Sequence, residues 1–192
     1  MGQSNKLTAE IDGVPVINRV LSSACASSIE NLTVVTGFRS AQVLDSISEY
    51  DVTGLYNPEY ELGISSSIRK GVFSLPDKAN AVVIFLGDMP DVTSETIDLL
   101  VSSYDPGKGH EICVPVFKGQ RGNPVLWSRR FFNNLCALEG DVGGRKLMQQ
   151  YLGFLHQCEV MDEGILLDID TPDQLNSRQS ESKLGHNKFS NH

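Results

Sequence analysis

Short apolar runs alternate along this chain with segments whose apolar residues recur at helical spacing. The strongest run is ANAVVIFLGD (79–88), in which apolar residues do not alternate with polar ones. Such a run is typical of a strand whose two faces are both buried in a parallel sheet. Strands that alternate with helices form βαβ units with right-handed crossovers. The sequence therefore predicts a single-domain, three-layer α/β/α fold around a mostly parallel sheet.

The individual elements follow from the same patterns. Strands are predicted at 31–38, 51–57, 79–88, 111–117, 154–160 and 164–170. Helices are predicted after Pro15, up to about Tyr50, over 65–75, after Thr93, near 129–138, near 143–152 and within 171–179. Pro115 indicates that its strand lies at an edge or contains a bulge. The domain is expected to span 1–176, and the polar segment 177–192 is expected to be a disordered tail.

Composition excludes several classes of function. The net charge of −8 argues against a nucleic-acid partner, because phosphate-binding surfaces need clustered Lys and Arg. The sequence has no run of about 18 apolar residues, so it predicts no membrane-spanning helix. The first residues lack the apolar core of a secretory signal, so we expect a cytoplasmic protein whose four cysteines are buried thiols. The sequence contains no G-x-G-x-x-G, and its four histidines have no metal-binding spacing.

Asp88 directly follows the strongest predicted strand, within GDMP. Gly, Asp and Pro all favour turns, so one interpretation is a turn that ends the strand. The other is a ligand site, because α/β sheets bind ligands beyond the carboxyl ends of their strands. Lys6 and the acidic segment DIDTPDQL (168–175) favour the ligand site. Two carboxylates could hold Mg²⁺, and a nearby lysine could neutralise a triphosphate.

Six segments in order resemble a known family: MGQSNKL, NPEYELGISSSIRKGV, GDMP, RGNPVL, GDVGGRKL and DIDTPDQL. This set is similar to the MobA-like nucleotidyltransferases, and most similar to the molybdenum cofactor cytidylyltransferases among them. The resemblance runs from Met1 to about Leu175. It implies a Rossmann-like fold of the nucleotide-diphospho-sugar transferase type.

The resemblance also implies a nucleotide and metal site. Asp88 resembles the Mg²⁺ ligand and Asp170 the second acid, with Asp168 as a less favoured substitute. Lys6 resembles the lysine that contacts the nucleotide phosphates, although a solvated surface lysine is the simpler interpretation of that residue alone. The catalytic residues implied are Lys6 and Asp88.

The segment GISSSIRKG resembles the one beside the nucleotide base. Gly63 would let backbone approach the nucleotide, and Ser65, Ser66 and Ser67 would offer hydroxyls and amide donors, or the serines simply cap a helix. With Lys6 and Asp88, these four residues make up the expected nucleotide site.

RGNP (121–124) resembles the loop that faces the acceptor, with Arg121, Gly122 and Asn123 as contacts, or it is a hairpin-like turn. GDVGGRKL (140–147) lacks the spacing of a P-loop and is interpreted as a glycine-rich turn that opens a helix, with Arg145 reaching an anion.

The family's opening is incomplete here. Members begin with an apolar strand followed by L-A-A-G-x-S-x-R-M-G, whereas this sequence begins at the final M-G. The first strand, near the sheet centre, and the phosphate-binding glycine loop are therefore expected to be missing. A sheet without a central strand leaves its two neighbours unpaired.

The function expected from the resemblance is transfer of CMP from CTP to a molybdopterin-type cofactor, with Mg²⁺ as cofactor and pyrophosphate as product. A molybdoenzyme receiving the cofactor is a further expected partner, and neither nucleic acid nor membrane is expected. Asn5-Lys6 in place of the Asp-Lys of guanylyl relatives favours CTP, while Asn123 stands where the cytidylyl group has histidine. The alternatives are a nucleotidyltransferase acting on a sugar or polyol phosphate, and a non-catalytic accessory protein that binds nucleotide or cofactor.

Overall fold

A computed structural model describes residues 5–169, and its strands and helices alternate along much of the chain, as predicted. The strands are β1 (Glu10–Ile11), β2 (Val14–Pro15), β3 (Thr33–Thr36), β4 (Thr53–Tyr56), β5 (Ala81–Ile84), β6 (Ile112–Phe117), β7 (Gln120–Arg121), β8 (Val125–Ser128) and β9 (Leu155–Glu159). The helices are α1 (Val16–Ala26), α2 (Ser40–Ser46), α3 (Ile64–Phe73), α4 (Ser94–Ser103), α5 (Phe132–Cys136) and α6 (Arg145–Gln150). The last predicted helix and the predicted tail lie outside the described residues.

The strands form two main groups. β3 and β4 pair in parallel. The larger sheet has the order β5-β8-β6, with β7 and β9 both on β6. In it β8 runs antiparallel to β5 and β6, β7 runs antiparallel to β6, and β9 runs parallel to β6. The predicted α/β, Rossmann-like class is confirmed, and the larger sheet is mixed in direction.

Helices cover both faces of the larger sheet, which gives the predicted three layers. On one face, Ile112 and Val114 of β6 belong to a buried cluster with residues of α3, α5 and α6. On the other face, Cys113 packs with Leu100 of α4. Successive residues of a strand point to opposite faces, so β6 contributes to both layers of the core. Within residues 5–169, no helix combines the length and the apolar character needed to cross a bilayer.

Three expectations were wrong in detail. The segment predicted as a strand at 164–170 instead contains a 3-10 turn, Glu163–Leu166, because the Asp162 carboxylate accepts a hydrogen bond from the Gly164 amide and starts the turn. The strand containing Pro115 is internal, so the edge interpretation of this residue is wrong, while the bulge interpretation stays a prediction. Pro115 is tolerated because it falls between the residues that pair with β8 and those that pair with β7. Cys113 and Cys158 are buried, but Cys25 is exposed and Cys136 is only half-buried.

A wide slot separates β3 from β5. Asn5 donates a hydrogen bond to the Phe38 carbonyl beyond β3, and Lys6 pairs with Asp88 beyond β5. The carboxyl ends of both strands therefore lie at the same edge. In the described part of the chain, β3 pairs only with β4 and β5 only with β8. Both strands line a cavity of about 940 Å³.

The slot explains why the apolar run of β5 is only half-buried along its whole length, although the sequence predicts a strand buried on both faces. Val34 and Val35 of β3 are half-buried for the same reason. Within residues 5–169, no strand lies between β3 and β5.

We expect an extended apolar peptide to stabilise the protein by pairing with the backbone groups that β3 and β5 present to the slot. Thermal unfolding with a lysine-flanked peptide containing AVVIFL should show a Tm higher by about 2 °C or more, since 1 kcal/mol corresponds to roughly 2–4 °C in a chain of this size. The same peptide with a central proline is the control, and an equal Tm with both peptides would contradict pairing in the slot.

Candidate functional site

Lys6 and Asp88 form an ion pair at this edge of the sheet. The Lys6 Nζ lies 2.6 Å from Asp88 Oδ2. The two side chains are 32% and 18% exposed, so the pair is partly shielded and still reachable from solvent. Lys6 begins a 3-10 turn that Asn5 caps, since its Oδ1 accepts from the Leu7 amide. The structure thus brings together the two residues that the sequence predicts as catalytic.

The backbone of Asp88 holds the segment that contains the other acids. Its carbonyl oxygen accepts a hydrogen bond from the Ile169 amide, at 3.0 Å. Ile169 is buried with Ile11 and Val16, whereas Asp168 is exposed. Asp170 lies outside the described residues, so its role as a metal ligand stays a prediction. The structure places the residue that precedes it directly beside Asp88.

The first turn of α3 lies across the cavity from this pair. Ser67 and Ile64 line the same cavity as Lys6 and Asp88. Ser65 and Ser66 are each 2% exposed. The Ser66 hydroxyl lies within hydrogen-bond distance of the Gly63 and Glu59 carbonyl oxygens. Of the three serines, Ser67 is therefore the one with a side chain at the cavity. Gly63, and not a serine, occupies the N-cap position.

Asn57 is a residue that the sequence reasoning missed. It follows β4 and is 2% exposed. Its Nδ2 lies 2.9 Å from the Ser66 hydroxyl oxygen and 3.2 Å from that of Ser67, and its Oδ1 accepts from the Glu59 amide. A buried amide with both ends bonded fixes the loop that leads into α3. The sequence signal at this position is the pair Asn57-Pro58 directly after a strand. That pair predicts a turn, but it does not predict a buried and hydrogen-bonded side chain.

The glycine-rich segment before α6 packs against the start of α3. The Ser65 amide donates to the Gly140 carbonyl, and the Ile64 amide lies 3.5 Å from Asp141 Oδ1. Gly63 has φ +96°, and a Cβ there would lie 2.5 Å from the Gly140 carbonyl carbon. The predicted helix opening is confirmed, because α6 begins at Arg145, directly after the glycine-rich segment. The Arg145 side chain is exposed, and this residue does not line the cavity.

The RGNP segment (121–124) lies outside the cavity that Lys6 and Asp88 line. Arg121 ends β7, which forms a hairpin with β6, and its side chain is exposed. The Gly122 amide donates to the Pro115 carbonyl, and the Asn123 amide donates to the Ile165 carbonyl. A Cβ on Gly122 would lie 2.2 Å from that Ile165 oxygen. These three residues, predicted to contact the acceptor, do not line the cavity of Lys6 and Asp88.

The residues at this site suit a hard, partly hydrated cation better than a closed metal cage. Within residues 5–169, no three His, Cys, Asp or Glu side chains are grouped so that they could hold a metal ion. Mg²⁺ commonly takes one or two carboxylates and completes its coordination with water and substrate phosphates. Asp88, with an acidic segment bonded to its backbone, fits that pattern.

The lysine and the carboxylate lie beside a large cavity, beyond the carboxyl end of β5, and this edge is the candidate ligand site because α/β sheets bind nucleotides there. Residues 1–155 match the family described as the MobA-like NTP transferase domain. The chain belongs to this family and is a nucleotidyltransferase.

Its curated relatives are distant. The molybdenum cofactor cytidylyltransferase of Escherichia coli K12 is 24% identical over 143 residues, which is 74% of this chain and 70% of that protein. The bifunctional protein GlmU of Staphylococcus epidermidis is 22% identical over 137 residues, 71% of this chain but only 29% of that protein.

Solved structures support the fold. A nucleotidyl transferase from Methanothermobacter thermautotroptrophicus has a TM-score of 0.80 and 20% identity, over 95% of this chain and 87% of that one. Rv0371c of Mycobacterium tuberculosis, in a manganese complex, has a TM-score of 0.75 and 24% identity, over 93% of each chain.

We predict that Gly63→Ala destabilises the protein more than Gly13→Ala. Both glycines have positive φ, but a Cβ at Gly13 meets nothing within 4 Å, whereas one at Gly63 meets the Gly140 backbone. Backbone strain of about 1–3 kcal/mol applies to both, and displacement of the glycine-rich segment adds to it at Gly63 only. Denaturant unfolding of the two variants measures the difference. Equal losses would show that the contact with Gly140 contributes nothing.

Proposed function

We propose that this nucleotidyltransferase transfers CMP from CTP to a molybdopterin-type cofactor, with Mg²⁺, and releases pyrophosphate. The observation that carries the proposal is the Lys6–Asp88 pair at the cavity, with the Ile169 amide bonded to Asp88. The likeness to the E. coli cytidylyltransferase supports the choice of nucleotide and acceptor. We place the reaction in the cytoplasm, with a molybdoenzyme as recipient of the product.

Lys6 and Asp88 have complementary roles in this proposal. Their pair stabilises the site before substrate arrives, because each charge neutralises the other. When the nucleotide enters, the Lys6 ammonium turns to a phosphate oxygen, and the Asp88 carboxylate, together with Asp170, becomes available to hold Mg²⁺. A bound Mg²⁺ neutralises the charge that develops on the phosphates.

The reaction is an in-line substitution at the α-phosphorus of CTP. A phosphate oxygen of the acceptor forms the new bond, and the bond from the α-phosphorus to the oxygen bridging the β-phosphate breaks. The electron pair leaves with pyrophosphate, and no covalent enzyme intermediate is needed. The side chains of this protein therefore contribute orientation and charge neutralisation.

The remaining predicted contacts are assigned to the two substrates. Gly63 and the turn Ser65–Ser67 lie on the nucleotide side, with Ser67 at the cavity and Ser65 and Ser66 holding the turn. The acceptor side contains Arg121, Gly122 and Asn123. There the exposed guanidinium of Arg121 can donate hydrogen bonds to a phosphate. Arg145 supplies a second exposed guanidinium for the acceptor.

We predict that Asp88→Asn lowers pyrophosphate release from CTP, molybdopterin and Mg²⁺ by about 100-fold or more, because a positioned charge at the reacting phosphates is lost. Asp12→Asn is the matched control. Asp12 pairs with Arg19 at 3.1 Å and, at 32% exposure, is a comparable surface carboxylate. Its variant should keep nearly full activity. Full activity of Asp88→Asn would remove the proposed metal role.

The same assay separates the two nucleotidyltransferase hypotheses. Asn123, which stands where the cytidylyl group has histidine, is the reason to test a sugar or polyol phosphate as the alternative acceptor. Pyrophosphate release with each of the four NTPs, and with molybdopterin or sugar phosphates, identifies both substrates. Turnover with a sugar phosphate but not molybdopterin would contradict the proposed acceptor.

An accessory protein that binds nucleotide without turnover is the second candidate. The slot between β3 and β5 favours it, because within residues 5–169 the strand that leads to Asp88 has no ladder partner on that side. Calorimetry that shows CTP binding to the 192-residue chain, with no pyrophosphate under the same conditions, would support this function over catalysis.

A further inference from the structure

The Asp162 carboxylate is half-buried, lies outside the predicted site and accepts four hydrogen bonds. Its Oδ2 accepts hydrogen bonds from the Thr93 amide at 3.0 Å, the Thr93 hydroxyl at 3.1 Å and the Thr96 hydroxyl at 2.9 Å. Its Oδ1 accepts from the Gly164 amide at 2.8 Å. An ionised carboxylate only accepts hydrogen bonds, and these donors bond both of its oxygens, three at Oδ2 and one at Oδ1.

The Oδ2 contacts fix the loop that carries Asp88. Thr93 is the N-cap of α4 and is the last residue of the loop that runs from β5 past Asp88. A negative charge at a helix N-terminus is favourable, because it bonds the free amides and opposes the helix dipole. Asp162 therefore anchors the end of the Asp88 loop from a residue 69 positions away from Thr93.

The Oδ1 contact fixes the segment that returns to Asp88. Asp162 is the N-cap of the 3-10 turn Glu163–Leu166, and three residues after the turn the Ile169 amide donates to the Asp88 carbonyl. The two segments also touch directly, since a Cβ on Gly164 would lie 2.3 Å from the Asp91 carbonyl oxygen. One carboxylate thus joins both chain segments that meet at Asp88.

The same turn reaches the predicted acceptor loop. The Ile165 carbonyl accepts from the Asn123 amide, and Gly122 packs against the same oxygen without room for a side chain. The turn consequently lies between the Asp88 loop and the loop predicted to contact the acceptor. Its placement sets the distance between them.

We propose that Asp162 is the positioning residue of this site. Through the two bonded segments it fixes residues 167–169 against Asp88, while holding the acceptor loop at the opposite side of the turn. Its effect on divalent-cation binding rests on the proposed function. Its effect on the position of the segment does not.

Hydrogen exchange of the full chain, read by mass spectrometry, tests the positioning. In Asp162→Ala, amides 164–169 should exchange about tenfold faster, since a lost hydrogen-bond acceptor is worth about one order of magnitude in an equilibrium constant. Asp162→Asn, which keeps one carbonyl oxygen and the side-chain shape, should give a smaller increase. This variant also decides the question if the alanine variant does not fold.

Asp105→Ala is the matched control. Asp105 also caps a 3-10 turn, Pro106–Lys108, through the amide of a glycine two residues on, but that turn lies away from Asp88. It should leave exchange of 164–169 unchanged. Unchanged exchange in both Asp162 variants, or equal acceleration in the control, would overturn the proposal.

Binding of Mn²⁺, followed by electron paramagnetic resonance in the presence of CTP, is the second measurement. We expect affinity several-fold weaker in Asp162→Ala than in the wild type, and unchanged in Asp105→Ala. If the wild type binds no Mn²⁺, the proposed function fails, while the exchange measurement still decides whether Asp162 positions the segment. Tight Mn²⁺ binding by a folded Asp162→Ala protein would contradict its role at the metal site.

Discussion

Three segments far apart in the sequence meet at Asp88, and the candidate site depends on that meeting. The carboxylate pairs with Lys6 near the start of the chain, and the carbonyl accepts from Ile169 near the end of the described residues. Neither contact is local, so both require the sheet and its helices to be in place. Because one residue uses its side chain and its backbone for different partners, a shift of the β5 end would disturb the lysine and the acidic segment together.

The sequence predicted the parts of this arrangement that local patterns control. Apolar periodicity located α1 and α4, the serine-rich entry located α3, and the apolar run ending in Gly87 placed Asp88 beyond a carboxyl strand end. Non-local contacts were not predictable in this way. The buried role of Asn57 depends on two serines brought close by the fold. The wrong strand prediction at 164–170 has the same origin. The apolar residues of this segment resemble a strand, but the Asp162 carboxylate, which precedes them, starts a turn.

The slot between β3 and β5 adds a condition to the chemistry. Asp88 lies at the end of a strand that, in the described residues, has a ladder partner on one side only. A sheet strand paired on one side is less rigid than one paired on both, and a catalytic carboxylate must be held within a fraction of an ångström of its working position. Filling the slot would therefore do more than stabilise the fold, because it would also stiffen the strand that presents Asp88.

Under the proposed function, electrostatics favours a nucleotide that enters the site together with a cation. The chain carries a net charge of −8, which repels a nucleoside triphosphate at long range. A single partly exposed lysine, already paired with Asp88, cannot reverse that field alone. Under the proposed function, a nucleotide that arrives with its divalent cation carries a smaller negative charge, and it brings a positive ion to the carboxylates. The acidic protein would then repel the metal complex less than the free nucleotide, and the carboxylates at the site would contact the positive ion, so the charge of the protein favours the form of substrate that can react.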